Sequence, residues 1–306
     1  MCLHKETGEQ EYLDRAVLTA RFLCESAWDP ALRLFPFEHP SPTAESPHRA
    51  YFFDCGIIIR GLVCVWHQTH DDRLLEVAVA ASHGMLAAFR SEQGFHPILE
   101  LPGLEPLPRT SHWSRSATCY QAKSALAWWE VAEITGDTVL RDAYLAAVAD
   151  GLADFPKFLL PGVADHHGMM DRLHPACYFL EALSPLLDRE DCASAYRSGL
   201  SDIGRLLREI RPEFVRSDVY AQLLRARVYG ASAVPVDLVA AGEEADALAE
   251  VQIASADPML DGGFWFGRRG GQVSEQANPV STAFAIQALC CWTEYLGGRE
   301  PQIPPS

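Results

Sequence analysis

The chain has 306 residues and a formal net charge of −16, with 48% apolar and 22% charged residues. That composition is ordinary for a folded protein and excludes extensive disorder. The charge argues against nucleic acid as a partner, since that needs a basic face, but it admits an anionic small ligand in a local basic pocket. No run of about 18 apolar residues marks a membrane span. The N-terminal MCLHKETGEQEY lacks the apolar stretch of a signal peptide, so no membrane partner is expected. The nine Cys form no C-x-x-C. Cys55, Cys64, Cys119, Cys177, Cys290 and Cys291 fall in apolar helical text, which reads as buried thiols in a reducing cytoplasm.

A first helix is expected over about Gln10–Ser26, with Leu13, Val17, Ala20 and Leu23 on one stripe. A Pro-rich loop from Trp28 to Ala50 (Pro30, Pro36, Pro40, Pro42, Pro47) leads to Tyr51–Trp66. That stretch, YFFDCGIIIRGLVCVW, is apolar apart from Asp54 and Arg60 and reads as an inner helix enclosed by protein. The turn His70-Asp71-Asp72 opens an outer helix, Arg73–Phe89, with an apolar stripe through Leu74, Ala78, Ala81, Met85 and Phe89. The alternation then repeats. A long loop, Ser91–Thr110, precedes an inner helix over about Ser114–Val131, and Thr135-Gly136-Asp137 opens the outer helix Thr138–Phe155. The loop Pro161–Met170 precedes the inner helix Asp171–Leu187, and the next outer helix ends near Ile210. A shorter loop, Arg211–Val215, leads to the inner helix Ser217–Tyr229, followed by an outer helix over about Val236–Ile253. The Gly-rich stretch Asp261–Asn278 holds Phe264, Trp265 and Phe266. It feeds a last helix from Pro279 that is apolar on nearly every face and so reads as central.

The inner helices share a register in which a polar residue precedes a small one: Arg60-Gly61, Glu181-Ala182, Arg225-Ala226 and Gln287-Ala288, with Lys123-Ser124 close to it. Small residues let central helices approach closely. The polar ones must find partners, since unpaired buried charge is costly. A buried network tying helices together is the plain reading of Arg60 and Glu181.

Ten helices of alternating type make five hairpins. The pattern resembles the α/α-toroid proteins, including the six-hairpin glycosidase-like group and the five-hairpin toroids of some polysaccharide lyases. It is carried by FDCGIIIRGL at Phe53–Leu62, EITGD at Glu133–Asp137, and GGFWFG with STAFAIQAL within Gly262–Leu289. The resemblance spans about Gln10–Leu296. It implies an all-α fold, an α/α toroid (incomplete barrel) of about five helical hairpins. One domain is expected over residues 1–306, with a core of about 10–297 and a flexible tail, 298–306. The last repeat is also similar to the Gly-Gly-Phe repeats of terpene cyclases and protein prenyltransferases, but a D-x-D-D motif is absent.

Connections from outer to inner helices are mostly long and carry aromatic, His and acidic residues, whereas the opposite connections are mostly short. The long loops are therefore expected to build one functional face at the N-termini of the inner helices, which favour anionic groups. Candidate catalytic residues are Asp54, His112, Asp171, His174, Asp218 and Tyr220. Candidate substrate-binding residues are Tyr51, Trp113, Arg115, Tyr120, Gln121, His167, Gln222, Arg225 and Trp265. Aromatic rings beside acids, His and Arg suit a sugar, whose apolar faces stack while its hydroxyls and carboxylates need polar partners. Each candidate has a plainer role. Asp54, Asp171 and Asp218 lie near helix starts and can serve as caps. Asp71-Asp72 reads as a solvated helix start. His166-His167 lacks the spacing of a metal site, so no metal or other cofactor is expected.

The expected function is that of a cytoplasmic carbohydrate-active enzyme taking an oligosaccharide or another small-molecule sugar ligand, with the oligomeric state open. One route is glycoside hydrolysis by two carboxylates, from Asp54, Asp171 and Asp218. The other is proton abstraction beside a uronate carboxyl, as in a lyase or epimerase. His112, His174 and Tyr220 then serve as acid/base groups, and Arg115 or Arg225 neutralises the carboxylate. A non-catalytic toroid binding a glycan or protein, and a terpenoid cyclase or prenyltransferase, are the alternatives.

Overall fold

A computed structural model describes residues 1–37, 48–110, 112–159 and 165–299. Expectations for Pro40, Pro42, Pro47, the start of the Pro161 loop and most of the C-terminal tail fall outside these residues. Cα packing divides the chain into two compact units, 1–154 and 155–302.

In the first unit a short helix, α1 (Cys2–Thr7), precedes α2 (Gln10–Phe22), which ends in a π-turn through Ala27. The hairpin of α3 (Phe52–Thr69) and α4 (Asp72–Phe89) follows, then α5 (Gln121–Thr135) and α6 (Thr138–Phe158), the helix on which the chain passes into the second unit. Asp71 starts α4 by accepting from the Arg73 backbone N–H, the solvated helix start read from the sequence. α5 begins at Gln121 rather than near Ser114, because Trp113–Arg115 forms a separate 3-10 turn capped by His112. α6 runs three residues past the expected stop at Phe155, with Pro156 inside it. Phe52 is fully buried against Phe95, Phe89 and Trp128, with ring centroids 5.0, 5.5 and 5.7 Å away, and the Trp128 indole N–H donates to the Ser82 carbonyl at 3.1 Å. Arg60 on α3 meets Glu130 on α5 at 2.9 Å, the helix-tying pair its register suggested.

The close approach of α3 to α5 uses Gly56 and not Gly61 of the polar–small register. A Cβ at Gly56 would lie 2.5 Å from the Ser124 carbonyl oxygen and 2.8 Å from its Cα, whereas a Cβ at Gly61 meets nothing within 4 Å. Gly56→Ala is therefore expected to destabilise the protein by about 1–3 kcal/mol, the usual cost of overpacking. Gly61→Ala should be neutral or stabilising by up to about 1 kcal/mol through helix propensity. Denaturant midpoints of the two variants check this contrast, and equal midpoints would place the helix contact elsewhere.

The second unit contains α7 (His166–Leu183), α8 (Glu190–Ile210), α9 (Ser217–Tyr229), α10 (Leu238–Ala249) and α11 (Pro279–Leu296). α9 is buried at every position, as expected of an inner helix, and packs on α7, α10 and α11. α7 starts at His166, five residues before the expected Asp171, because the Asp165 carboxylate accepts from the backbone of His167 and Gly168. Asp171 consequently lies inside the helix and caps nothing. α11 departs from its expected burial. Ser281, Ala285, Ala288 and Trp292 form one buried stripe with Cys291 at its edge, Glu294 is buried on another face, and Val280 and Leu296 are exposed. Phe284, Ile286 and Leu289 are only partly buried, so continuous apolarity overstated its enclosure.

All strands among the described residues fall in the connections that precede α3, α5, α9 and α11. In the first unit, β1 (Arg49–Tyr51), β4 (Ile98–Glu100) and β5 (Glu105–Pro106) make a three-stranded sheet, and β2 (Arg90–Ser91) pairs with β3 (Gly94–Phe95). In the second, β6 (Phe214–Arg216) pairs antiparallel with β7 (Gly267–Arg269), which pairs with β8 (Gln272–Val273). Gly267 lies against the Val215 carbonyl with no room for a Cβ, so this glycine admits the β6–β7 pairing that delivers the chain into α9.

Candidate active site

The richest polar cluster of the second unit forms where β6 turns directly into α9. Arg216 is both the last residue of β6 and the N-cap position of α9, and Asp218 lies in that helix's first turn, where the helix dipole favours a carboxylate. Arg216 grips Asp218 through two bonds, Nε to Oδ1 at 3.1 Å and Nη2 to Oδ2 at 2.7 Å, and its Nη1 donates to Asp171 Oδ1 at 2.7 Å. His174, one turn beyond Asp171 on α7, places Nδ1 3.2 Å from Asp218 Oδ2 and 3.1 Å from the Gln222 side-chain amide. The Tyr178 ring packs edge-on to His174 at 4.5 Å.

The electrostatics fix the charge of Asp218. Burial by itself would raise the Asp218 carboxyl, but the charge and hydrogen bond of His174, with those of Arg216, outweigh it and hold Asp218 well below the usual carboxylate range. An ionised Asp218 makes His174 Nδ1 the nitrogen that carries the proton. Gln222 Oε1 is buried with no hydrogen-bond partner among the described residues. Turning that amide over gives the oxygen Nδ1–H to accept from, consistent with the same tautomer. Nε2 is then the basic nitrogen of an imidazole oriented from behind by a carboxylate.

Helical spacing continues this arrangement inward. Asp171, His174, Tyr178 and Glu181 lie on one face of α7, and Asp218, Gln222, Arg225 and Tyr229 on one face of α9. Arg225 is 1% exposed, pairs with Glu181 at 3.0 Å, and lies over the rings of Tyr229 and Phe284 at 5.3 and 5.4 Å. This is a buried tie between helices, as read for Glu181, and it leaves Arg225 remote from solvent. Tyr220 is also buried, and its hydroxyl donates to the Leu207 carbonyl on α8. His167 packs on Phe214 and bonds Arg269, while its neighbour His166 pairs with Glu213 at 2.9 Å, so the two imidazoles serve different partners. Trp265 is half-buried, and its carbonyl accepts from the Ser217 hydroxyl at 2.8 Å. Among the described residues no group of three or more His, Cys, Asp or Glu is placed to hold a metal ion.

The first unit brings together a smaller group. Asp54 is in the first turn of α3, and burial pushes its carboxyl up from its ordinary value, offset in part by a backbone hydrogen bond. Tyr120 is raised by burial and then by the charge of Asp54, and its ring lies 6.1 Å from Phe53 and 5.2 Å from Trp113. Its hydroxyl donates to the Ser114 carbonyl at 3.4 Å. His112 is exposed, stacks on Trp113 at 5.9 Å and shares a hydrogen bond with the Ser114 hydroxyl. Arg115 is exposed, Tyr51 packs on Phe37 at 4.5 Å, and the buried Gln121 donates to the Phe95 carbonyl at 3.1 Å. Gln121 is thus an interior tie.

The sequence reading missed Arg216, the residue that organises Asp171 and Asp218. It stands two residues before Asp218, a spacing that places no contact in a helix. The contact arises because Arg216 is still in a strand.

The sequence matches no family model and no curated protein. Solved structures do match. A sugar epimerase from a ruminal bacterium superposes with a TM-score of 0.72 over 97% of this chain and 84% of that one, at 13% identity. Cellobiose 2-epimerase from Spirochaeta thermophila superposes with a TM-score of 0.71 over 96% and 83%, also at 13% identity. The chain has the α/α-toroid fold. An unsaturated glucuronyl hydrolase specific for heparin shares this toroid more loosely, with a TM-score of 0.52 over 98% of this chain and 72% of that one, at 11% identity. In this toroid no helix among the described residues is long and apolar enough to cross a membrane.

Proposed function

We propose that this protein is a carbohydrate-active enzyme that moves a proton on a sugar carbon beside a carbonyl or carboxyl group, the chemistry of an epimerase, isomerase or lyase. The observation that carries the reading is His174 with Nδ1 held against an ionised Asp218. Nε2 removes the proton: the C–H bond breaks, the N–H bond forms, and the electron pair moves onto the adjacent carbonyl oxygen. The imidazolium, stabilised by Asp218, then gives the proton to the neighbouring carbon, to the same carbon once the planar intermediate has turned its other face to Nε2, or, in elimination, to the leaving oxygen. Arg216 keeps Asp218 ionised and oriented. Two toroid neighbours named for sugar epimerisation support the substrate class. The nine free thiols, six of them buried, fit the proposed cytoplasmic location.

Asp54 favours a second reading. Its raised carboxyl suits the general acid of glycoside hydrolysis. Asp171 and Asp218 supply no such acid as a pair, since both grip Arg216 and Asp218 is held ionised. The full chain should be incubated in deuterium oxide with reducing disaccharides and uronates and followed by proton NMR. Exchange at the carbon beside the carbonyl or carboxyl group, with appearance of an epimer, ketose or unsaturated sugar, is the expected result. Release of monosaccharide without such exchange would replace proton transfer by hydrolysis.

A further inference from the structure

The first unit carries a solvent-open cavity of about 520 Å³, lined by the Ser91–Gln93 turn with His96, Pro106, Leu107 and Arg109. Its volume suits a small ligand. Arg109 is held in place by neutral oxygens: Nη1 donates to Gln93 Oε1 at 2.9 Å, and Nη2 to Ser91 Oγ at 2.9 Å and the Gln93 carbonyl at 3.3 Å. Among the described residues it forms no ion pair, unlike Arg60, Arg216, Arg225 and Arg227, each of which meets a carboxylate. Its guanidinium is therefore fixed in orientation while its charge is unbalanced. Burial and the charge of Arg109 both push the His96 imidazole down, so at neutral pH it is an uncharged group that can donate or accept. Gln93 has committed its amide oxygen to Arg109 and keeps its NH2 as a donor. Pro106 and Leu107 supply apolar surface, and Glu92 is the one acidic residue of the lining.

We propose that this cavity binds a carboxylate-bearing sugar, a uronate, with its carboxylate on Arg109. His96, Gln93 and Glu92 meet its hydroxyls, and its apolar face lies on Pro106 and Leu107. Nη2 spends both its N–H groups on Ser91 and Gln93, so the carboxylate takes the second N–H of Nη1 as a charge-assisted hydrogen bond. The mixed donors and acceptors with an apolar wall separate a sugar acid from a bare anion. The proposal is independent of the role of His174, because binding and not turnover is read.

The test is calorimetric titration of the full chain, at low ionic strength, with glucuronate, glucose and inorganic phosphate. Wild type should bind glucuronate at least tenfold more tightly than either of the others. Arg109→Gln should weaken glucuronate at least tenfold. That variant also loosens the Ser91–Gly94 turn, so Glu92→Gln, which leaves the bonds of Arg109 intact, serves as the second arm. Removing this like charge should tighten glucuronate about threefold. Equal affinity for glucose, tighter binding of phosphate, absence of glucuronate binding, or glucuronate binding indifferent to both substitutions would each overturn the assignment.

Discussion

Asp218→Asn is expected to lower the kcat of sugar proton exchange by about 10²–10⁴-fold, with KM changed by no more than a few-fold. The amide can occupy the place of the carboxylate, but it neither stabilises the imidazolium nor dictates which nitrogen of His174 carries the proton. His174→Gln should cost at least as much, and the double variant should be little worse than either single one, because the two side chains act as a unit. Additive losses would mean separate roles. Full activity in Asp218→Asn would reduce the carboxylate to a helix-start residue. Its pH signature in stability separates positioning from folding. Folding holds this carboxyl below its unfolded value of about 3.9, so its contribution is complete above about pH 4 and fades as the pH falls through the folded value. The Asn variant should lose that part of the acid dependence and keep its helical circular dichroism at neutral pH.

The ten helices and the asymmetry of their connections were legible because both rest on local pattern. Stripes such as Leu74–Ala78–Ala81–Met85 and the uninterrupted burial of Ser217–Tyr229 need no knowledge of distant residues. Asp171, His174, Asp218 and Gln222 were each named from the sequence among fifteen candidates, but nothing local set these four apart from the others as one cluster. Their organiser was not named, because Arg216 acts through a strand–helix junction that depends on Gly267, fifty-one residues further on. The Arg109 cavity was hidden for a related reason. Ser91, Gln93 and Arg109 meet across the irregular connection from α4 to α5, where no periodicity relates them. Arg225 and Tyr220 show the converse limit. A polar residue on an inner helix reads the same from sequence whether it faces a ligand or another helix; Tyr220 bonds the Leu207 carbonyl, and Arg225 pairs with Glu181 through Nη2.

Breaking the Arg225–Glu181 pair should cost about 3–5 kcal/mol, among the largest stability losses available in the chain, because removal of either partner strands a charge in the interior. Arg225 is 1% exposed and Glu181 5% exposed, so water cannot take the place of the missing partner without opening the packing of α7 against α9. Arg225→Met and Glu181→Leu are the informative single changes, and their combination should recover most of the loss, since two apolar side chains of similar volume leave no charge unpaired, although the Tyr229 hydroxyl loses its bond to Arg225. Arg225→Lys is a sharper test of geometry. Lysine keeps the charge but loses the flat cation that lies over both Tyr229 and Phe284. Denaturant midpoints of all four variants read the outcome. A mild effect of the single changes would show that water reaches the pair. If Arg225→Lys instead left stability intact and selectively weakened glucuronate binding, Arg225 would belong to a ligand site and not to the tie between α7 and α9.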